Sequence, residues 1–157
     1  MANERKPASA DGVEASRQYS TFYVGDKFFG VEVLKVQEVL RYQEMTRVPL
    51  SPPVIEGLIN LRCQIVTAVD MRRTLKLDPR AADRTPMNMV VRSEDGAVSL
   101  LVDEIGDVVE PPQDSYESAP ETMRAEQKEV IDGVYKLDSG LLLVLHTERV
   151  LRVQASE

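Results

Sequence analysis

The chain of 157 residues contains one cysteine, Cys63, and one histidine, His146. A single cysteine excludes an internal disulfide and is typical of proteins of the reducing cytosol. Metal sites need clustered ligands, and a Cys–His catalytic dyad needs both side chains within hydrogen-bonding reach. The sequence shows neither arrangement, nor a P-loop or a dinucleotide-binding glycine motif. It therefore predicts no catalytic residue, no metal site and no cofactor.

Long apolar runs are also missing. No stretch of eighteen apolar residues could span a membrane, and the charged N-terminal segment lacks the apolar core of a secretory signal. Residues 1–17 are rich in alanine, serine and glutamate and are predicted to form a flexible N-terminal tail, while residues 154–157 form a C-terminal tail. These observations predict a cytoplasmic soluble protein.

Basic residues are scarce in part of the second half. Between Glu94 and Asp132 there are twelve acidic and two basic residues, a net charge of −10 against −7 for the whole chain. An acidic surface repels phosphate backbones, so nucleic acid is not expected as a partner. A more basic first half beside this acidic second half could orient a protein partner. Alternatively, the charges could simply keep the surface hydrated.

The chain does contain an internal repeat. The matching segments are 54–75 with 130–151, which align without a gap, and, more weakly, 30–34 with 97–101 and 35–40 with 104–109. Such a repeat indicates one supersecondary unit used twice, unless two apolar β-rich stretches merely resemble each other. Two similar lobes would share a cleft, and clefts are common binding sites.

Short apolar stretches separated by glycine, proline and aspartate predict many short strands. Hairpin turns are predicted around residues 25–27, Arg62-Cys63, Asp95-Gly96 and 138–140. Helical turns are predicted after Asp70 as N-cap, within 121–128 and from Thr147 to Leu151. A further helical turn is predicted for Val36–Leu40, whose apolar residues recur at helical spacing. The pattern favours a mainly β fold of two small barrels packed side by side.

Two positions are candidates for binding. Arg62, at a turn between apolar strands, could hold a carboxylate or carbonyl of a partner through its planar guanidinium, or it could simply face solvent. Val36, Val39 and Leu40, with Glu38 nearby, could form an exposed apolar patch for a partner, or they could belong to the core.

Several motifs, in this order, resemble those of CheW-type chemotaxis coupling proteins. They are residues 29–39, Arg47-Val48-Pro49, Gly57-x-x-Asn60-Leu61-Arg62, Val69-Asp70-Met71-Arg72, residues 100–105 and residues 133–138. The resemblance runs from about Gln18 to Val153. It implies a single domain, residues 18–153, made of two pseudo-repeated, intertwined five-stranded barrels with short connecting helices. It also implies that the chain has no enzymatic activity.

The resemblance further implies a function and binding residues. Proteins of this family are scaffolds that couple the cytoplasmic tips of methyl-accepting chemoreceptors to the regulatory domain of a CheA-type histidine kinase. Such a protein works in the cytoplasm at membrane-associated receptor arrays without inserting into the membrane. By resemblance, the receptor-binding residues are Glu38, Arg62 and Ile65. The kinase-binding residues are Val33, Val36 and Val39.

Three residues depart from the family pattern. Cys63 stands where the family usually has glycine, Thr67 where proline is common, and His146 where an acidic residue is common. A positive φ at Cys63 would cost about 1–2 kcal/mol. These departures leave open a divergent adaptor of a pilus, gliding or developmental pathway. A small-ligand sensor using the interlobe cleft and a small enzyme with Cys63 as nucleophile are the alternatives from other classes.

Overall fold

The computed structural model describes residues 17–94 and 96–150. The first half contains β1 (Tyr19–Val24), β2 (Lys27–Glu32), β3 (Val36–Leu40), β4 (Ile55–Leu61), β5 (Gln64–Asp70) and helix α1 (Met71–Thr74). The second half contains β6 (Met87–Ser93), β7 (Gly96–Val102), β8 (Glu104–Val109), β9 (Tyr116–Glu117), helix α2 (Ala125–Lys128), β10 (Ile131–Leu137) and β11 (Gly140–Leu145). Single 3-10 turns occupy Val33–Lys35 and Gln113–Ser115, and a helical segment begins at Thr147.

The strands form two sheets, and each sheet contains strands of both halves. Their orders are β8–β1–β2–β11–β10–β9 and β3–β6–β7–β5–β4. In the repeat, strands β1 to β5 of the first half correspond in turn to β6, β7, β8, β10 and β11 of the second half. If each strand is replaced by its equivalent, the order of one sheet becomes the order of the other, apart from the additional two-residue strand β9. Parallel pairs β2–β11 and β5–β7 join the halves. This confirms the mainly β fold with two pseudo-repeated, intertwined five-stranded units.

Both sheets are covered by apolar side chains on both faces. The central core lies between the sheets and includes Phe22 and Phe29, whose rings stack with centroids 5.4 Å apart. A first-lobe core lies on the other face of the five-stranded sheet and comprises Ile59, Leu61, Val66, Ala68, Val90 and Leu101. A second-lobe core on the six-stranded sheet comprises Tyr19, Tyr135, Leu142 and Val144. The space between the sheets is therefore filled by side chains.

The five-stranded sheet curls so that its two edges meet. The segment that follows the edge strand β3 returns to β4, the opposite edge. There Thr46 donates its N–H to the Leu58 carbonyl (2.9 Å), and Leu58 donates its N–H to the Thr46 carbonyl (2.8 Å). Gly57 permits this approach, because a Cβ at that position would lie 2.8 Å from the Thr46 carbonyl oxygen.

The helical turn predicted for Val36–Leu40 is wrong. This segment is strand β3, and the helical turn lies three residues earlier, at Val33–Lys35. β3 pairs antiparallel with β6 and has a register shift between Val36 and Glu38. A bulge of this kind interrupts the period-two alternation of a strand, so apolar residues fall at spacings that resemble those of a helix.

Most of the other predicted turns and helices are present in the structure. The hairpins at residues 25–27, Arg62-Cys63 and 138–140 are confirmed, and so is the α1 N-cap, where the Asp70 carboxylate accepts the Arg72 N–H at 3.0 Å. The helix within 121–128 is limited to α2. β6 and β7 pair as a hairpin. Asp95 of the predicted turn, residues 1–16 and residues 151–157 lie outside the described residues. No helix in the described ranges is long and apolar enough to cross a membrane.

A largely buried carboxylate, Asp103, joins the two halves beside the central core. It accepts hydrogen bonds from Nε and Nη2 of Arg72 (3.0 and 2.6 Å), from Nε of Arg80 (2.9 Å) and from the backbone N–H of Gly25 (2.7 Å). Burial by itself raises the pKa of Asp103, but the hydrogen bonds from Arg72, Gly25 and Arg80 outweigh it and lower that pKa to about 2. Asp103 thus connects the β1–β2 turn, α1 and the loop between the halves.

Candidate docking surface

Two of the predicted binding residues form an ion pair. Nη2 of Arg62, in the β4–β5 turn, lies 2.6 Å from Oε1 of Glu38 on β3, and Nη1 lies 3.3 Å from Oε2. The Glu38 side chain is only 15% exposed, whereas that of Arg62 is 79% exposed. A bidentate pair fixes the plane of the guanidinium, and the exposure leaves much of the guanidinium open to a partner. Because exposed pairs add little stability, its main effect is orientation.

Apolar residues predicted to bind partners differ in their exposure. Ile65 on β5 is 62% exposed and Val39 on β3 is 39% exposed. Val36 is half-buried and packs against the central core, and Val33 is half-buried in the 3-10 turn. Of the two interpretations of the β3 residues, exposure therefore holds for Val39, and core packing holds for Val36 and for Leu40, which packs against the first-lobe core. Together Glu38, Val39, Arg62 and Ile65 define what we call the first-lobe surface.

Sequence reasoning missed several exposed apolar residues in the same half. Leu34 lies in the 3-10 turn before β3, Tyr42 follows β3, and Leu50 occupies the loop before β4 with a left-handed φ of 64°. Leucine at a positive φ is uncommon. No periodic pattern marks these residues, because each lies in a short irregular segment, so the sequence offers no signal that separates them from core residues.

The second half exposes apolar residues at the equivalent positions. Val108, which aligns with Val39, is 56% exposed, and Leu141, which aligns with Ile65, is 41% exposed. The repeat alignment would have identified both. The equivalents of Glu38 and Arg62 are Asp107 and Asp138, two acids that cannot form an ion pair with each other. The two halves therefore present similar apolar residues with different charges.

Cys63 has a left-handed backbone conformation that favours glycine. The β4–β5 turn places Arg62 at φ 46° and Cys63 at φ 71°, and the Cys63 side chain is exposed. A side chain in the left-handed region costs about 1–2 kcal/mol, so this departure from the family pattern carries strain beside Arg62.

We expect Cys63→Gly to raise the free energy of unfolding by about 1 kcal/mol, because glycine removes the Cβ that strains the turn. The melting temperature should rise by about 2–4 °C for a chain of this size. Cys63→Ala is the matched control, since it removes the thiol but keeps the Cβ. An equal rise in both variants would show that the thiol, and not the backbone conformation, causes the effect.

His146, the one histidine of the chain, takes part in a local backbone contact. Nδ1 of His146 accepts the backbone N–H of Arg149 at 3.3 Å, a capping contact like the one Asp70 makes at the equivalent position of the first half. Among residues 17–94 and 96–150, no group of three or more His, Cys, Asp or Glu could hold a metal ion. The central core fills the space between the sheets, whereas a cavity of about 580 Å³ lies between the β1–β2 hairpin and second-half residues that include Met123 and Leu141.

Comparisons with known proteins agree with this architecture. The family model described as "CheW-like domain" matches residues 18–155. "Chemotaxis protein CheW" of Bacillus subtilis is 28% identical over 145 residues, covering 92% of this chain and 93% of the relative. The Klebsiella aerogenes protein of the same name is 27% identical over 151 residues, covering 96% and 91%.

A solved structure shows the same fold. The crystal structure of the scaffolding protein TtCheW from Thermoanaerobacter tengcongensis aligns with a TM-score of 0.75 and 22% identity, covering 83% of this chain and 88% of that chain. The family model, the relatives and the fold agree over most of the sequence. The chain therefore belongs to the CheW-like domain family and is a non-enzymatic chemotaxis adaptor.

Proposed function

We propose that this adaptor couples the cytoplasmic tips of methyl-accepting chemoreceptors to the regulatory domain of a CheA-type histidine kinase. The supporting observation is the first-lobe surface, where a solvent-facing ion pair lies beside exposed apolar residues. Two weak interfaces on one rigid body hold two partners at high effective concentration. Kinase control then passes through whichever receptor state binds better. The protein acts in the cytoplasm and is recruited to receptor arrays.

The proposed division of the surface follows β3. Glu38, Arg62 and Ile65 contact the receptor, and the charged pair supplies directional hydrogen bonds to polar groups of the receptor tip. Val33, Val36 and Val39 contact the kinase: Val39 contributes the exposed apolar area, and the half-buried Val33 and Val36 contribute the part of each side chain that solvent reaches. The kinase set lies on β3 and in the turn before it, and Arg62 of the receptor set is bonded to β3 through Glu38, so the two partners meet at adjacent positions. Direct binding of a CheA-type regulatory domain from the same organism in a pull-down is the primary test.

Arg62→Ala is expected to weaken co-sedimentation with a receptor cytoplasmic fragment by about tenfold or more, the usual effect of losing a hydrogen bond to a charged group. The melting temperature should stay near that of the wild type, because the side chain is mostly exposed. Arg84→Ala is the matched control, since Arg84 is also an exposed arginine and is paired with Glu104 at 3.7 Å. Unchanged co-sedimentation of Arg62→Ala would remove this residue from the receptor interface.

Val39→Asp is expected to weaken binding of the kinase regulatory domain with little loss of stability, because a charge in an apolar interface is costly whereas Val39 is already partly hydrated. Val108→Asp makes the same change at the equivalent position of the second half. Isothermal titration and a melting curve for each variant separate binding from folding. If Val108→Asp impairs kinase binding and Val39→Asp does not, the kinase contact lies on the second half.

A divergent adaptor of a pilus, gliding or developmental pathway is the second candidate. It is favoured by the strained Cys63 in the turn that presents Arg62, and by Thr67, a second departure from the family pattern, which lies on the same hairpin. Pull-downs with the kinases of each chemosensory pathway of the organism distinguish the two candidates. Preference for the flagellar kinase supports the first, and preference for another kinase supports the second.

A further inference from the structure

Strand β3, which carries Glu38 and Val39 of the first-lobe surface, belongs to the first half, but side chains of the second half form hydrogen bonds to the backbone at both of its ends. Its one neighbouring strand within the described ranges is β6. At one end, Nη1 of Arg92 donates to the carbonyls of Leu34 (3.0 Å) and Val36 (3.4 Å). At the other end, Nδ2 of Asn88 donates to the carbonyl of Arg41 at 3.0 Å. The second half therefore fixes the position of this strand.

Asn88 is buried within the first lobe and has a second polar partner. Asn88 on β6 and Ser99 on β7 are both fully buried. The hydroxyl of Ser99 donates to Oδ1 of Asn88 at 2.7 Å, which directs the amide nitrogen toward Arg41. Their neighbours along the same strands, Val90 and Leu101, belong to the first-lobe core. A buried amide in such surroundings is costly unless all its groups are bonded, so the geometry strongly favours the bond to Arg41.

The Arg41 carbonyl lies where the chain leaves β3 and crosses to the opposite edge of the sheet. Arg41 is the first residue after β3, and from it the chain crosses to Thr46, whose backbone bonds to Leu58 join the edges of the sheet. On one side of this point lies Glu38, which orients Arg62. The position of the Arg41 carbonyl therefore sets where β3 ends relative to the β4–β5 turn.

We infer that Asn88, oriented by Ser99, is a positioning residue for the first-lobe surface. This inference rests on the proposed function for its effect on binding, while its effect on the chain is independent of any partner. Asn88 and Ser99 are buried inside the first lobe and contact neither proposed partner. They affect binding only by fixing the backbone at Arg41. It determines the separation of Glu38 and Val39 from Arg62 and thereby the shape that a receptor tip meets.

The repeat contains a related tether on the other sheet. Thr21 on β1 aligns with Asn88, is fully buried, and donates its hydroxyl to the carbonyl of Asp107 on β8. β8 is an edge strand of the six-stranded sheet, as β3 is of the five-stranded sheet. In each lobe, a buried polar side chain of one half thus tethers the edge strand of the other. Thr21 provides a matched control because it acts on a strand outside the first-lobe surface.

The double variant Asn88→Leu/Ser99→Ala tests the inference. Leucine approximates the shape of asparagine, and removing both polar partners leaves no unpaired group in the core, so stability should change little. The Arg41 carbonyl then loses its buried partner and keeps the exposed bond from Nε2 of Gln43 (3.2 Å). We expect faster amide hydrogen exchange at Thr46 and Leu58, and about fivefold weaker binding of a receptor cytoplasmic fragment, the factor that one typical hydrogen bond is worth. Thr21→Val should leave both measurements at the wild-type value.

The outcomes separate the inference from the proposed function. Unchanged exchange at Thr46 and Leu58 in the folded double variant would overturn the inference, as would equal loss of binding in Thr21→Val. If the wild type does not bind the receptor fragment, the proposed function fails, and exchange still decides whether the tether exists. If the double variant does not fold, Ser99→Ala replaces it: releasing the amide should give the same changes in smaller measure, and wild-type exchange and affinity would overturn the inference.

Discussion

Gly57→Ala is expected to lower the free energy of unfolding by about 2–4 kcal/mol, which combines steric overpacking with the loss of backbone hydrogen bonds. The new Cβ would lie 2.8 Å from the Thr46 carbonyl oxygen and 3.0 Å from Cβ of Met45. The backbone at Thr46 cannot withdraw cheaply, because both its N–H and its carbonyl bond to Leu58. The edges of the five-stranded sheet should separate, which urea denaturation and hydrogen exchange at Thr46 will detect.

Gly133→Ala is the matched control, because Gly133 is the repeat equivalent of Gly57. A Cβ there would meet the hydroxyl end of the Tyr116 side chain and no backbone atom among its three nearest contacts. Tyr116 is partly exposed, and moving it toward solvent gives up the bond from its hydroxyl to the Asp132 carbonyl and its edge contact with Tyr135, so we expect a cost of about 1 kcal/mol. Equal costs for the two substitutions would show that closure of the first lobe does not depend on the space at Gly57.

Asp103→Asn is expected to lower the free energy of unfolding by about 2–4 kcal/mol. The substitution leaves the guanidinium groups of Arg72 and Arg80 in a largely buried site without their shared counter-charge, and breaking such a pair from one side is costly. Glu104→Gln is the neighbouring control, since its exposed carboxylate pairs loosely with Arg84, and we expect a change below about 0.5 kcal/mol. Urea denaturation of both variants provides the comparison. Equal costs for the two substitutions would contradict a special role for Asp103.

The same carboxylate predicts a specific acid sensitivity. The pKa of Asp103 is about 2 in the folded chain, whereas that of an unperturbed aspartate is about 3.9. Its contribution to stability is therefore fully present above about pH 4 and is lost as the pH falls toward 2. The melting temperature of the wild type should fall more steeply over this interval than that of Asp103→Asn. If the melting temperatures of the wild type and of Asp103→Asn fall in parallel with pH, a lowered pKa of Asp103 would be contradicted.

Local features of the fold followed directly from the sequence. The hairpin at Arg62-Cys63 and the cap at Asp70 each depend on a few adjacent residues, and the structure confirmed both. The helical turn expected at Val36–Leu40 failed because a bulge in a strand can reproduce helical spacing. Local patterns identify an element reliably only where its period is uninterrupted.

Contacts between distant segments were not predictable in this way. Glu38 and Arg62 were each identified by resemblance, but their ion pair requires the sheet to curl. Asp103 gathers arginines from two other segments, and the chain contains 19 basic and 26 acidic residues, so composition does not select those partners. In the sequence, Asn88 is one polar residue within an apolar predicted strand. Its role depends on a carbonyl 47 residues away along the chain.

The interweaving of the halves has a consequence for biosynthesis. β2 is complete at Glu32, but its parallel neighbour β11 begins only at Gly140. At roughly 5–20 residues per second, a ribosome needs on the order of ten seconds to make the intervening chain. Throughout that time β2 presents an open edge to which other strands can add. The six-stranded sheet therefore cannot be completed until β11 has emerged, and the N-terminal half alone would lack the strand that pairs with β2.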